Sequence, residues 1–390
     1  KRELTTGELR EPKAAALPAI AALGGMIVPA LLYLAINRSG EPARGWGIPM
    51  ATDIAFALGV LAIVGRGLPT ALKTFLLALA IVDDIGAILV IAIFYSGSIS
   101  PGPLLAAAGL LVLILVLQRL QVRWTAVYVL LGVGVWLATF QSGIHATIAG
   151  VALGLTTPAV PFQRPRAVSL EAHRVADDTV DDPVPPDADA HQWLHLAGLT
   201  REAVSPLARL EHLLHPWTSY VIVPLFALAN LGIHIDGQLL SDAASSPITL
   251  GIIFAYVVGK PVGISLASWL ASRPWWSGLR LSLSWPVIVG GGAVGGIGFT
   301  VALLVASIAF SGQELAEAKL GILGAAIIAT VLSWLIFRVI IPRLPASMRE
   351  RQPTGLTDAI LDLSDEIDPS RDHIRGSDDA PVTLVEYGDY

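Results

Sequence analysis

Residues 290–300 read GGGAVGGIGFT and lie in the middle of the apolar stretch 284–310. So much glycine disfavours a continuous helix, because glycine loses more backbone freedom on folding than any other residue. A second apolar stretch, near 46–64, contains IPMATDIAF at residues 48–56, and Pro49 removes a helical hydrogen bond there. We therefore predict one interrupted helix in each half of the chain. The residues that mark the two breaks are Pro49, Gly295, Gly296, Gly298 and Thr300.

The composition indicates a membrane protein. Of the 390 residues, 54% are hydrophobic and 14% are charged, and the mean hydropathy of +0.67 is too high for a soluble domain of this size. The sequence has no cysteine, which excludes disulfides and thiol chemistry for the residues shown, and its net charge of -6 does not favour nucleic acid as a partner. About ten stretches can cross the hydrocarbon layer, which takes roughly 17 to 25 residues. They lie near 14–36, 46–64, 70–95, 102–118, 124–141, 143–158, 210–233, 247–271, 284–310 and 316–341.

The two predicted breaks occupy corresponding positions in two halves of the chain. Paired interrupted helices are the best sequence indication of inverted repeats with an ion site where the helices cross. We therefore predict an all-α membrane fold with inverted repeats at about 14–95 and 247–341. When the spans are threaded alternately, most Lys and Arg fall on one side, which the positive-inside rule identifies as the cytoplasm. Both ends of the chain are predicted to lie on that side.

The predicted transmembrane domain is 1–341, and three segments differ from its apolar composition, one within it and two after it. Residues 160–206 are rich in Pro, Asp and His, which is typical of a long, mobile cytoplasmic loop without a core of its own. Residues 342–380 have the polar composition of a linker, and 381–390 (PVTLVEYGDY) have the pattern of a β-strand. Because the chain begins at Lys1 and this last strand has no partner in view, we expect both ends to be trimmed.

Four charged residues lie well inside apolar spans, away from the span ends: Asp53, Asp83, Asp84 and Lys260. A charge at mid-bilayer costs about 2.5 to 3.5 kcal/mol, so these residues form the candidate site. Successive helical positions lie about 100° apart, so Asp83 and Asp84 can face different surroundings. Two carboxylates supply the oxygen ligands that a hard cation such as sodium prefers, and proton and sodium would compete for them. The alternative is a structural pair bonded to neighbouring helices.

Asp53 and Lys260 suit the ends of the broken helices. Each break exposes a positive helix N-terminus and a negative C-terminus in a medium of low dielectric. Asp53 would balance the facing N-termini, and Lys260 would balance the facing C-termini or an acid at the ion site. Sequence leaves open whether Asp53 also takes part in transport, and whether Lys260 makes a structural ion pair or carries a proton.

His145 and Glu211 are candidate proton sensors. His145 opens a short apolar span, and Glu211 lies beside His212 and His215 where the chain re-enters the membrane. Imidazole titrates near cytoplasmic pH, so a histidine beside an acid can respond to protons. Ordinary interfacial packing is the alternative for these residues, and we favour it for His212 and His215.

Six motifs, taken together, resemble the NhaA family of bacterial sodium/proton antiporters. They occur in one order over residues 1 to about 341, which makes the resemblance specific. The motifs are residues 51–59 (ATDIAFALG), 80–88 (AIVDDIGAI), 142–147 (SGIHAT), 210–217 (LEHLLHPW), 259–261 (GKP) and 296–300 (GIGFT).

The resemblance implies a twelve-helix fold whose third to fifth and tenth to twelfth helices are inverted repeats. About ten of these helices would be present, because the first and nearly all of the second would precede Lys1. The implied activity is exchange of sodium or lithium for protons across the bacterial inner membrane, electrogenic, pH-activated and without a cofactor. The implied partners are lipid, sodium and protons, and a homodimer is possible.

The resemblance also assigns roles to individual residues. Asp83 and Asp84 match the ion-binding pair of the family. Asp53 and Lys260 match the charges at the crossed helices, and Thr52 matches a proposed ligand there. The positions linked to pH activation are matched by Lys1, Arg2, Glu3, His145 and Glu211.

The C-terminal segment 381–390 resembles the opening strand of a thioredoxin-like domain. A fused redox module would then follow it. Three other functions remain open at this stage: a channel, a sodium-coupled symporter for organic solutes, and a membrane anchor for a redox enzyme. A membrane anchor would keep its function without Asp83 and Asp84, and a symporter would not release protons when sodium binds.

Overall fold

A computed structural model describes residues 12–64, 70–120, 122, 124–181, 186–233, 236–273, 279 and 283–343. These residues form helices, turns and short extended segments, with no β-strand among them. The predictions for Lys1, Arg2 and Glu3, for nearly all of the linker 342–380 and for the strand 381–390 concern residues outside this description.

The helices follow the order of the predicted spans. The first half contains α1 (Pro12–Ile36), a 3-10 helix (Pro42–Met50), α2 (Ile54–Val64), α3 (Thr70–Phe94), α4 (Pro101–Arg119), α5 (Thr125–Gln141) and α6 (Thr147–Thr156). The second half contains α7 (Pro165–Asp181), α8 (Pro186–Ala203), α9 (Pro206–Trp217), α10 (Val223–Leu231), α11 (Gly237–Ser245), α12 (Pro247–Phe254), α13 (Lys260–Ala271), α14 (Trp285–Gly295), α15 (Thr300–Ala309), α16 (Gly312–Leu335) and α17 (Ile341–Arg343). Single π-helical turns join three of these pairs at Thr218–Ile222, Ala255–Gly259 and Ile336–Ile340.

Five helices in the described part of the chain are long and apolar enough to cross a membrane, and two bent pairs bring that number to seven. The bends measure 53° between the 3-10 helix and α2, and 49° between α14 and α15. The shorter apolar helices α5 and α6, and the run from α9 to α10, cover the remaining predicted spans. The prediction of an all-helical, multi-pass membrane fold with two interrupted helices is confirmed.

The segment 160–206 departs from the sequence prediction. It was expected to lack a packed core, whereas the structure places α7 and α8 there and packs them together. The contact is made by Val168, Val175 and Leu196, all of them buried. Val168 and Val175 lie seven residues apart and therefore share one helix face, which is enough apolar surface for a helical hairpin. The high Pro and Asp content of the segment led to the prediction of a loop, although this spacing is typical of a helix. Its cytoplasmic location stays a prediction.

The two long helices that flank the breaks cross at close range. Gly24 of α1 faces Gly263 of α13, and a Cβ atom on either glycine would overlap the backbone of the other helix. Glycine at a helix crossing lets the two backbones approach closely. This crossing fixes α13 against α1, only one helical turn beyond Lys260.

Candidate ion-binding site at the helix breaks

The two breaks are buried and lie against each other. The backbone N–H of Asp53 donates a 2.8 Å hydrogen bond to the carbonyl of Ile297, which ties the first break to the second. The helical hydrogen-bond ladder stops in both segments, so four helix ends converge here. The C-terminal ends are at Met50 and Gly295, and α2 and α15 begin on the other side.

Asp53 caps both helix N-termini. Its Oδ1 accepts a 3.1 Å hydrogen bond from the backbone N–H of Phe56 in α2. Its Oδ2 accepts from the backbone N–H of Thr300 at 3.0 Å and from the Thr300 hydroxyl at 2.8 Å. One carboxylate therefore satisfies free donors of two helices that come from opposite halves of the chain, and its negative charge faces both positive dipole ends.

Asp53→Ala is expected to lower the melting temperature of the full-length protein more than the loss of an ordinary cap. Each lost cap costs about 0.5 to 2 kcal/mol, and this substitution removes two of them in a buried setting. Asp53→Asn should recover part of the loss, since its one carbonyl oxygen can serve one helix only. The matched control is Asp236→Ala, which removes the single exposed cap on Leu239 of α11. Equal shifts in the melting temperature for Asp53→Ala and Asp236→Ala would contradict the double cap.

Lys260 and Thr52 occupy the opposite, C-terminal side of the crossing. The Lys260 ammonium donates to the carbonyl of Met50, the last residue of the 3-10 helix. The Thr52 hydroxyl lies 2.8 Å from the carbonyl of Gly295, the last residue of α14. Each negative helix end thus has a hydrogen-bond donor, which is the arrangement that the helix dipoles favour.

Asp83 joins this cluster from α3. Its Oδ2 forms an ion pair with Lys260 Nζ and lies 2.7 Å from the Thr52 hydroxyl, and both charged side chains are 0% exposed. The Thr52 oxygen lies 3.1 Å from Lys260 Nζ. A hydroxyl has one proton, so Thr52 can donate to Asp83 or to Gly295 but not fully to both. Asp83 Oδ1 is buried and accepts no hydrogen bond from the described residues.

Asp84 faces different surroundings from Asp83, as the 100° helical step requires. It is half-buried, and its buried Oδ1 has no hydrogen-bond partner among the described residues. It lies within electrostatic range of Asp83, Asp53 and Lys260. No group of three or more His, Cys, Asp or Glu side chains in the described ranges is placed to hold a metal ion. A cation at this pair would therefore also need hydroxyl or carbonyl oxygens.

Comparison with known sequences identifies the family of this chain. Residues 1–337 match the profile of the family described as Na+/H+ antiporter 1. The chain belongs to this family.

Individual relatives support the same assignment. The chain is 46% identical to Na(+)/H(+) antiporter NhaA 1 of Salinispora arenicola (strain CNS-205), an alignment that covers 100% of this chain and 59% of the relative. It is 41% identical to Na(+)/H(+) antiporter NhaA 1 of Mycolicibacterium vanbaalenii, covering 100% of this chain and 60% of that protein. It is 45% identical to Na(+)/H(+) antiporter NhaA 2 of Sorangium cellulosum (strain So ce56), covering 87% of this chain and 74% of the relative. The chain thus spans about three fifths of the length of the first two relatives.

The predicted resemblance to the NhaA family is therefore confirmed. The family is one of transporters and not of enzymes. Nothing in these comparisons establishes a thioredoxin-like domain, so that part of the interpretation stays a prediction.

In this member of the Na+/H+ antiporter 1 family, a local irregularity presents Lys260 to the crossing. Pro261 follows Lys260 and has no N–H to donate to the preceding turn of the helix, so one bond of the regular helical ladder is lost there. The helix instead widens into the π-helical turn Ala255–Gly259 directly before Lys260. Such turns re-aim side chains and occur often at functional sites. Lys260 reaches Met50 and Asp83 from the end of this turn.

Tyr256 is a member of the cluster that sequence reasoning missed. Its hydroxyl lies 2.7 Å from the carbonyl of Ile48 and 3.1 Å from that of Ala51, and its side chain is 0% exposed. Tyrosine is common in apolar helices, so its presence in this helix does not by itself indicate a functional residue. Its position four residues before Lys260, on the same helix face, could have suggested the contact.

The described candidate pH sensors, His145 and Glu211, belong to parts of the chain that contribute none of the cluster residues named above. His145 is half-buried just before α6, where its Nδ1 lies 3.0 Å from the Thr147 hydroxyl. Glu211 is exposed on α9, as are His212 and His215. Arg2 and Glu3 fall outside the described residues. A sensing role for these residues stays a prediction.

Proposed function

We propose that this chain exchanges sodium or lithium for protons, and that the two cargoes compete at Asp83 and Asp84. One observation carries the proposal: the Lys260 ammonium is bound by three oxygens, from Met50, Thr52 and Asp83. Carbonyl, hydroxyl and carboxylate oxygens are the ligands that a hard cation prefers. The site therefore already has the chemistry of a cation site, and a charged group of the protein occupies it.

The competition follows from charge. A sodium ion that approaches Asp83 meets the Lys260 ammonium, and two positive charges within a few ångströms repel strongly in a medium of low dielectric. Sodium can bind well only when Lys260 moves away or gives up its proton, and when the carboxylates are ionised. In the reverse direction, protons neutralise the carboxylates and remove the charge that holds sodium. Each cargo thus excludes the other from the same oxygens.

Asp84 is suited to meet the arriving ion. It is half-buried, whereas Asp83 is 0% exposed. Its unpartnered Oδ1 gives an ion an oxygen that no protein donor has to release first. In the proposed order, sodium binds Asp84 first and then displaces Lys260 from Asp83. A cycle that exchanges one sodium ion for more than one proton moves net charge, which makes the exchange electrogenic.

The fold supports alternating access. The order of a long helix, a bent pair and a long helix occurs in α1–α3 and again in α12–α16, which corresponds to the predicted repeats. Inverted repeats that cross at broken helices allow one set of helices to rock around a fixed site. We place the protein in the bacterial inner membrane with both ends of this chain in the cytoplasm, where the exchange would regulate intracellular pH and sodium. A homodimer and pH activation through His145 and Glu211 belong to the same proposal.

The proposal predicts that the apparent Michaelis constant for sodium rises as pH falls. When one proton competes with sodium, the rise is roughly tenfold per pH unit below the apparent pKa of the site. The measurement is sodium-driven proton flux by the full-length protein in sealed vesicles, at several sodium concentrations and pH values. An imposed membrane potential shows whether the exchange moves charge.

The same measurement separates the other candidate functions. A Michaelis constant that does not change with pH would contradict competition and would fit a symporter. Ion flux without coupled proton movement would indicate a channel. His145→Ala and Glu211→Gln serve as sensor variants: a shift in the pH profile of the maximal rate, with an unchanged sodium dependence, would place pH activation outside the ion site.

A further inference from the structure

Tyr256 holds the same piece of backbone that Lys260 uses. Its hydroxyl lies within hydrogen-bonding distance of the carbonyls of Ile48 and Ala51, at 2.7 and 3.1 Å. Met50, whose carbonyl accepts from Lys260, lies between these two residues in sequence. Two side chains one turn apart on the α12–α13 helix therefore bind one short stretch of the first break, Tyr256 on its flanks and Lys260 at its middle.

This stretch is irregular backbone, so contacts with other elements have to hold its carbonyls in place. The 3-10 helix ends at Met50, and Ala51 is extended, with φ of -84° and ψ of 143°. Carbonyls at a helix end lack the intrahelical partner that would hold them in line with the axis. The Tyr256 hydroxyl contacts the carbonyls of the Ile48–Pro49 and Ala51–Thr52 peptides, which flank the two peptides of Met50, so it limits the rotation of the segment that presents the Met50 carbonyl.

The second break fixes the tyrosine from its other side. A Cβ atom at Gly298 would overlap the phenol ring of Tyr256, and one at Gly296 would lie 2.7 Å from the Tyr256 carbonyl oxygen. These two glycines are therefore required for close contact as well as for the interruption of the helix. The ring is confined between both breaks and cannot take another position without moving one of them.

We propose that Tyr256 is a positioning residue that orients the Met50 carbonyl and thereby sets the affinity and the size selectivity of the cation site. The inference rests on the proposed function, in which the oxygens around Lys260 receive the cation. Carbonyl dipoles held at fixed distances distinguish ions by size, and a carbonyl that can move adapts to either ion. Tyr256 acts on the cation through the backbone, without binding it.

The test compares two tyrosines that make the same kind of bond. Tyr33 is also 0% exposed, and its hydroxyl donates a 2.7 Å bond to the carbonyl of Pro42, at the far end of the same 3-10 helix. Tyr33→Phe thus removes an equivalent hydrogen bond away from the site. Exchange of sodium and of lithium is measured for both phenylalanine variants of the full-length protein in sealed vesicles, alongside their melting temperatures.

Tyr256→Phe is expected to raise the Michaelis constant for sodium about tenfold, the effect of one hydrogen bond. The ratio of the lithium and sodium constants should move toward one, with the maximal rate within about twofold. Tyr33→Phe should leave both constants and their ratio unchanged while lowering the melting temperature similarly. Gly298→Ala keeps the hydroxyl but displaces the ring, and it should change the ratio in the same direction.

Two results would overturn the inference. One is an unchanged lithium-to-sodium ratio in both Tyr256→Phe and Gly298→Ala. The other is an equal change in Tyr33→Phe and Tyr256→Phe, which would reduce Tyr256 to a stabilising contact. Either result leaves the proposed function intact if the wild-type sodium constant still rises as pH falls. A wild-type Michaelis constant for sodium that does not change with pH would contradict the proposed function, and the proposed role of Tyr256 would be contradicted as well.

Discussion

Asp84→Asn is expected to abolish sodium/proton exchange while the protein stays folded. An amide keeps the shape of the side chain but has no charge for sodium and no proton to exchange. A charged ligand contributes about 3 kcal/mol, so its loss weakens sodium binding on the order of 100-fold. Because Asp84 Oδ1 accepts no hydrogen bond from the described residues, the substitution leaves no donor without its partner there. We expect the melting temperature to stay within about 2 °C of the wild type.

Isothermal titration with sodium and vesicle flux are the measurements for this variant. Asp242→Asn is the control, since Asp242 is a half-buried acid on α11, outside the crossing. It removes the same charge from the protein without touching the crossing, so exchange should persist. Wild-type sodium affinity in Asp84→Asn would remove Asp84 from the ion site.

Lys260→Ala is expected to lower both stability and transport. The substitution strands a fully buried carboxylate at Asp83 and takes a donor from the Met50 carbonyl. Breaking a buried ion pair by removing one partner costs about 3 to 5 kcal/mol. Lys260→Arg should recover folding better than activity, because the planar guanidinium keeps the charge but does not reproduce the compact contact with three oxygens.

A double substitution gives this prediction its sharpest test. Lys260→Met combined with Asp83→Asn leaves no unpaired charge, so its stability should exceed that of either single variant. Exchange should be absent in the double variant all the same. If the two single effects on the melting temperature simply add, the ion pair is not the source of the instability. Full exchange by Lys260→Ala would exclude Lys260 from the mechanism.

The sequence predicted a role for Asp53 at the helix N-termini and for Lys260 at the C-termini or beside an acid, but not which acid would pair with Lys260. Charges in apolar spans are costly, and this cost alone identified Asp53, Asp83, Asp84 and Lys260. Which of the two adjacent acids would face Lys260 depends on the rotation of α3 against α13, and sequence spacing does not contain that angle. The structure pairs Lys260 with Asp83. Asp53 was predicted to face the helix N-termini. That it bonds to Phe56 and Thr300 at the same time depends on how close the two breaks lie, which the sequence does not show.

Two other features, the α7–α8 hairpin and the contacts of Tyr256, were not predicted, each for its own reason. The α7–α8 hairpin depends on a few apolar residues spaced seven apart, a signal that is weak against a composition rich in Pro and Asp. Tyr256 was missed because its hydroxyl binds backbone carbonyls, and a sequence does not show where a carbonyl points. In both cases the contacting groups are close in space, but they are far apart along the chain or their sequence pattern is weak.

The long sequence separation within the cluster has a consequence for biosynthesis. Lys260 follows Asp83 by 177 residues, and Thr300 follows Asp53 by 247 residues. At a synthesis rate of about 5 to 20 residues per second, the acids leave the ribosome roughly 10 to 50 seconds before their partners. During this interval Asp83 has no Lys260 to pair with, and Asp53 meets only one of its two helix N-termini, that of α2. We expect substitutions that delay the packing of α13 against α1 to reduce the amount of protein in the membrane before they reduce its transport rate.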